Sequence, residues 1–127
     1  MDQFLNAEDV APIERLKNYF EWFLAFFEQN NFIGGCPIGN LAQEMGDLND
    51  AFREKLQNVF EKMKQRFSHC LESAKQQKEL SPPLDIEKVA DFIVSGWQGA
   101  LLQMKVTKST TPVRNFESII FGSVLKS

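Results

Sequence analysis

An all-α fold of about five helices is predicted by three features of the 127-residue sequence. Apolar residues recur at steps of three and four, no segment alternates with a period of two, and prolines and glycines stand between the periodic runs. A chain of this length forms one domain, since such domains bury roughly two-thirds of their unfolded surface. The domain is expected over residues 12–127, with residues 1–11 as a frayed N-terminal stub of a preceding element.

The first helix starts at Pro12, which sacrifices no hydrogen bond in a first turn, and ends at Asn30-Asn31. Ile13, Leu16, Phe20, Phe23 and Phe27 form its stripe, opposite Glu14, Asn18, Glu21 and Glu28. Trp22, Leu24 and Phe26 widen the apolar arc, so the helix is expected to be covered on two sides. A short second helix runs from Pro37 to Met45 and stops at Gly46. Asp47 or Asn49 caps a long third, whose apolar positions Phe52, Leu56, Val59, Phe60, Met63, Phe67, Cys70, Leu71 and Ala74 hold the helical period until Ser81-Pro82-Pro83 breaks it. Asp85 caps a fourth helix reaching about Thr107, with Leu84 stapled against Val89. Thr111-Pro112 opens a fifth that carries Phe116, Ile119, Ile120, Phe121, Val124 and Leu125.

A net charge of −3 gives this chain no electrostatic footprint for nucleic acid. Two cysteines and one histidine, without a Cys-x-x-Cys pair, exclude a structural zinc site, so neither a metal nor a cofactor is expected. His69 and Cys70 are adjacent on a helix and do not face each other, so they form no joint site. The start Met1-Asp2-Gln3-Phe4 lacks the pattern of a secretion signal and no apolar run is long enough to span a membrane, so a reducing cytoplasmic setting is expected.

The tract Gly34-Gly35-Cys36-Pro37 places a thiol at the mouth of a helix, where unpaired N–H groups favour a thiolate. Cys36 reads either as a reactive sensor or as a small apolar cap. In the fourth helix, Ser95, Gly96, Gly99 and Ala100 put small residues at spacings that admit a second backbone. That helix and the fifth are apolar on most sides, more than one small domain can cover. A homodimer with a four-helix interface is the expected consequence, formed by Phe92, Ser95, Gly96, Gly99, Ala100, Phe116, Ile119 and Ile120. The alternative is that the glycines serve tight packing inside one chain.

The order of elements, the Gly-Cys-x-x-Gly-Asn-x-x-x-Glu stretch from Gly35 to Glu44, and Trp97-Gln98-Gly99-Ala100-Leu101-Leu102-Gln103-Met104-Lys105 together resemble the C-terminal, ligand-binding and dimerisation domain of the TetR family of transcriptional repressors. The resemblance runs from residue 12 to the end. It implies a switch in which a small molecule enters a pocket among the first four helices and respaces paired DNA-reading heads. Those heads are a helix-turn-helix domain for which residues 1–11 are too few. DNA is therefore expected as a partner only through a domain outside this chain, and membranes not at all.

Twelve phenylalanines exceed what one solid core requires, which favours an apolar cavity lined by Phe23, Phe27, Phe60, Met63, Phe67, Trp97 and Leu101 over simple packing. Leu41 lies on the apolar face of the second helix and joins the expected ligand-binding set. In the branch of the family that the cysteine tract resembles, Lys105 lies toward the same cavity, which would make Cys36 a candidate for capture of electrophiles or oxidants. No catalytic residues are assigned. A thiol-based redox enzyme and a helical protein-interaction adaptor are the competing readings, the first weakened by the lack of a nearby resolving cysteine.

Overall fold

The computed structural model describes residues 5, 7–29, 50–80 and 84–125. Four α-helices occur among them: α1 (Pro12–Gln29), α2 (Asp50–Gln76), α3 (Ile86–Thr107) and α4 (Thr111–Ile119). A π-helical turn, Ile120–Val124, extends α4. The predicted short helix from Pro37 to Met45 lies outside the described residues.

The first turn of α1 is fastened to the far end of α2. Its Ile13 N–H donates to Glu79 Oε2 at 3.1 Å, placing a carboxylate at the positive end of the helix. The Cys70 thiol donates to the Pro12 carbonyl at 3.0 Å. Arg15, only 5% exposed, donates through Nε to the Val10 carbonyl at 2.8 Å. The stretch expected to be a frayed stub also contributes Leu5, which is buried in the core.

Along α2 the stripe of Leu56, Phe67, Cys70, Leu71 and Ala74 is buried, as its periodicity predicts. Lys64 reaches from α2 to Glu87 and Asp91 of α3, at 3.6 and 3.3 Å. Asp85 caps α3 by accepting the Lys88 N–H at 3.2 Å. At its other end Lys108 turns left-handed, with φ of 55°, and returns its N–H to the Met104 carbonyl. Ser109 Oγ then accepts the Thr111 N–H at 3.1 Å as α4 begins.

The fifth predicted helix is real but does not stay α-helical. Leu125 donates its N–H to the Ile120 carbonyl at 2.7 Å, an i→i+5 closure. Residues five apart in an α-helix diverge by about 140°. The wider turn brings Ile120 and Leu125 toward one face, and both are buried.

Phe20 joins these elements. Its ring is fully buried and lies 6.1 Å from Phe67 of α2, 4.7 Å from Trp97 of α3, 5.4 Å from Phe116 of α4 and 6.0 Å from Phe121 of the π turn. All are separations of packed aromatic pairs. Beside it α3 and α4 approach so closely that a Cβ on Gly96 would stand 2.7 Å from Phe116 Cε1. By contrast, Gly99 has nothing within 4 Å of the equivalent position. Cover on the second side of α1 is not seen among the described residues, where Trp22 and Phe26 are each 40% exposed and stacked on one another.

Phe20→Ala should destabilise the fold by about 3–5 kcal/mol in urea titration, the range for an emptied aromatic core site. Gly96→Ala should cost about 1–3 kcal/mol by overpacking against Phe116, whereas Gly99→Ala at low protein concentration should gain about 0.5–1 kcal/mol from helix propensity. Cys70 is fully buried, and burial pushes its thiol up to about 11, with Arg15 opposing. In a Cys36→Ala background, Cys70 should therefore resist maleimide at neutral pH until denaturant is added.

Candidate functional site

The structure gathers Phe23, Phe27, Phe67, Trp97 and Leu101 into one buried cluster, with Phe60 and Met63 packed against it. Three helices contribute, because each turns its three-and-four stripe to the same axis. Phe23 lies 5.6 Å from Trp97 and 5.9 Å from Phe27. Lys105 is half-buried in the last turn of α3, immediately after Met104 of the cluster. Cys36 and Leu41, the remaining members of the predicted ligand-binding set, lie outside the described residues.

Two polar side chains stand within this apolar wall, and neither belongs to the predicted set. Tyr19, the single tyrosine of the sequence, is buried with its ring 5.6 Å from Phe67 and 6.2 Å from Trp97. Half-buried Gln98 directs its side-chain amide at Met63 Sδ, 3.8 Å away. The sequence signal for Tyr19 is its position one turn before Phe23, on the same stripe. An apolar wall with a few polar groups is the usual composition of a small-molecule site.

A concavity lies apart from this cluster, between α1 and α4. This groove, of about 460 Å³, is lined by Glu14, Lys17, Asn18, Glu21, Arg114, Glu117, Ser118 and Phe121. Arg114 bridges to Glu28 at 3.8 Å, and the Lys17 ammonium lies 5.3 Å from the centre of the Phe121 ring. Burial pushes the Glu117 carboxyl up to about 8, helped by a hydrogen bond with Glu21 and opposed by Arg114. The sequence alone assigns neither carboxyl a functional role.

The predicted dimer residues divide into two groups. Phe92 is 53% and Ile119 57% exposed, Ser95 faces solvent, and the open side of Gly99 is in register with Phe92 and Ser95 on α3. Val106, 74% exposed, continues this face. Ala100 and Ile120 are instead buried within their own chain, and Gly96 with half-buried Phe116 forms the α3–α4 contact. The small-residue stripe thus serves internal packing at Gly96 and leaves an open surface at Gly99. Among the described residues no cluster of potential metal ligands occurs, and no helix is long and apolar enough to cross a membrane.

Comparison with known proteins agrees with this architecture. The chain is 31% identical over 123 residues to the HTH-type transcriptional repressor DhaR of Mycobacterium sp. (strain GP1), an alignment covering 97% of this chain and 60% of DhaR. It is 33% identical over 116 residues to the transcriptional regulator AcuR of Cereibacter sphaeroides, covering 91% of this chain and 53% of AcuR. The chain therefore spans only 53–60% of the length of these two relatives. A crystal structure of the regulatory protein TetR from Rhodobacter sphaeroides superposes with a TM-score of 0.82 at 34% identity, over 89% of this chain and 59% of that one. The family model described as "Tetracyclin repressor-like, C-terminal domain" matches residues 12–120, and the chain belongs to this family of TetR-type regulator domains.

Proposed function

We propose that this chain is the effector-sensing and dimerisation part of a TetR-type repressor, working in the cytoplasm, whose DNA-reading heads lie outside it. The observation that carries the reading is the exposed apolar face of α3 and α4, where Phe92, Val106 and Ile119 stand in solvent beside the open side of Gly99. A surface of this kind on a small domain is suited to burial against its own copy across a two-fold axis. Behind it, Gly96 and Phe116 tie that face to Phe20 and Trp97, so α1 and the dimer helices share one packed core.

The effector suited to this interior is a small, largely apolar molecule oriented by Tyr19 and Gln98, with Cys36 as the point of covalent capture if it is an electrophile. Binding that prefers one arrangement of α1 against α4 would alter the separation of the DNA-reading heads. A preference of ~1–3 kcal/mol changes operator affinity several-fold to a hundredfold. The reading makes catalysis unnecessary, since stoichiometric occupancy is enough.

Sedimentation of the chain should give a dimer at micromolar concentration. Phe92→Asp combined with Ile119→Asp should weaken it by about 30-fold or more while the helical circular dichroism is kept. A parent chain that stays monomeric under these conditions would favour the helix-binding adaptor. Stoichiometric alkylation of Cys36 at neutral pH should be faster than that of Cys70, and sustained peroxide turnover would favour the redox enzyme.

A further inference from the structure

The groove between α1 and α4 contains a polar arrangement that neither an effector pocket nor a dimer face requires. Glu117 Oε1 is fully buried, and no hydrogen-bond partner reaches it among the described residues. The neighbouring carboxyl across the seam is that of Glu21, which lines the same groove and whose charge and hydrogen bonding favour a proton on Glu117. Two carboxylates offer only acceptors, so a hydrogen bond between them exists only while one of them holds a proton. The cations nearby substitute for that proton only in part: Arg114 lowers the Glu117 carboxyl but is drawn to Glu28 at 3.8 Å, and Lys17 lies over Phe121. Glu14, on α1, adds further negative charge to the groove. From α3, which packs on the other side of α4, no titratable side chain lines it.

We propose that Glu21 and Glu117 form a proton-sharing latch between α1 and α4, closed when the pair holds one proton and loosened when that proton is lost to solvent. Loss leaves two facing carboxylates, one of them at a partly buried position, and their repulsion acts across the seam. The latch is a pH-sensitive joint between the helix that carries the aromatic hub and the helix that carries Ile119. It does not depend on the identity of any effector.

Glu117 retains its proton to about 8 in the folded chain against an ordinary value of 4.5, so the folded state binds more protons than the unfolded one in that window. Stability contributed by the pair is complete below the lower value and is lost as pH rises through the upper one.

The test is thermal unfolding of the 127-residue chain and of Glu117→Gln between about pH 5 and pH 9. The parent's Tm, relative to that of the variant, should fall by several degrees with rising pH, because the amide cannot ionise and keeps a donor for Glu21. A variant whose Tm tracks the parent's throughout would overturn the proposal. Carbon-13 titration of the Glu117 carboxyl in the unsubstituted chain gives an independent readout that does not need the variant to fold. A midpoint well above the ordinary glutamate value is expected, and a midpoint at that value would equally overturn it.

Discussion

Phe20 is the constraint on which the arrangement depends. A single ring, fully buried, meets an aromatic side chain from α2, from α3, from α4 and from the π turn. Edge-to-face and tilted contacts of this kind fix relative ring orientation as well as distance, because the positive ring edge seeks the negative face of its neighbour. A shift of α1 is therefore transmitted to several other segments at once. Interiors packed at crystal density move between discrete arrangements and do not deform smoothly, which is the mechanical property a regulatory domain needs.

The polar contacts divide α1 into two regimes. At its start, Glu79, Cys70 and Arg15 satisfy main-chain groups on a buried surface, and their partners are fixed backbone atoms. Such bonds are costly to break without replacement, so this end acts as an anchor. Along the α4-facing side, the contacts are between side chains in an open groove, where charge and proton content can change without unfolding the helix. One element thus has a fixed end and an adjustable flank.

Among the described residues the helical spans were legible in the sequence because periodicity and punctuation agreed. Pro12, Asp85 and the Thr111-Pro112 pair each mark a boundary that the structure also has. The convergence of Phe23, Phe67 and Trp97 in the core was legible for the same reason, since they belong to stripes that must meet. Other features depend on the fold. Gly96 and Gly99 look equivalent in sequence, and only the placement of Phe116 tells the filled side from the open one. Glu21 reads only as part of the face opposite the apolar stripe, and Glu117 carries no signal until two distant helices bring them into one groove. Lys108 occupies a left-handed cap usually given to glycine, so its role in ending α3 carried no compositional signal.

The π turn has a consequence for chain length. In an α-helix the next inward-facing residue after Ile120 would come three or four positions later, whereas the wider closure places Leu125 in the core five positions on. The segment therefore accommodates one additional residue without rotating the downstream chain away from the interior. Length and facing direction, which are locked together in a regular helix, are separable at this turn, where one extra residue is taken up while Ile120 and Leu125 both stay in the core.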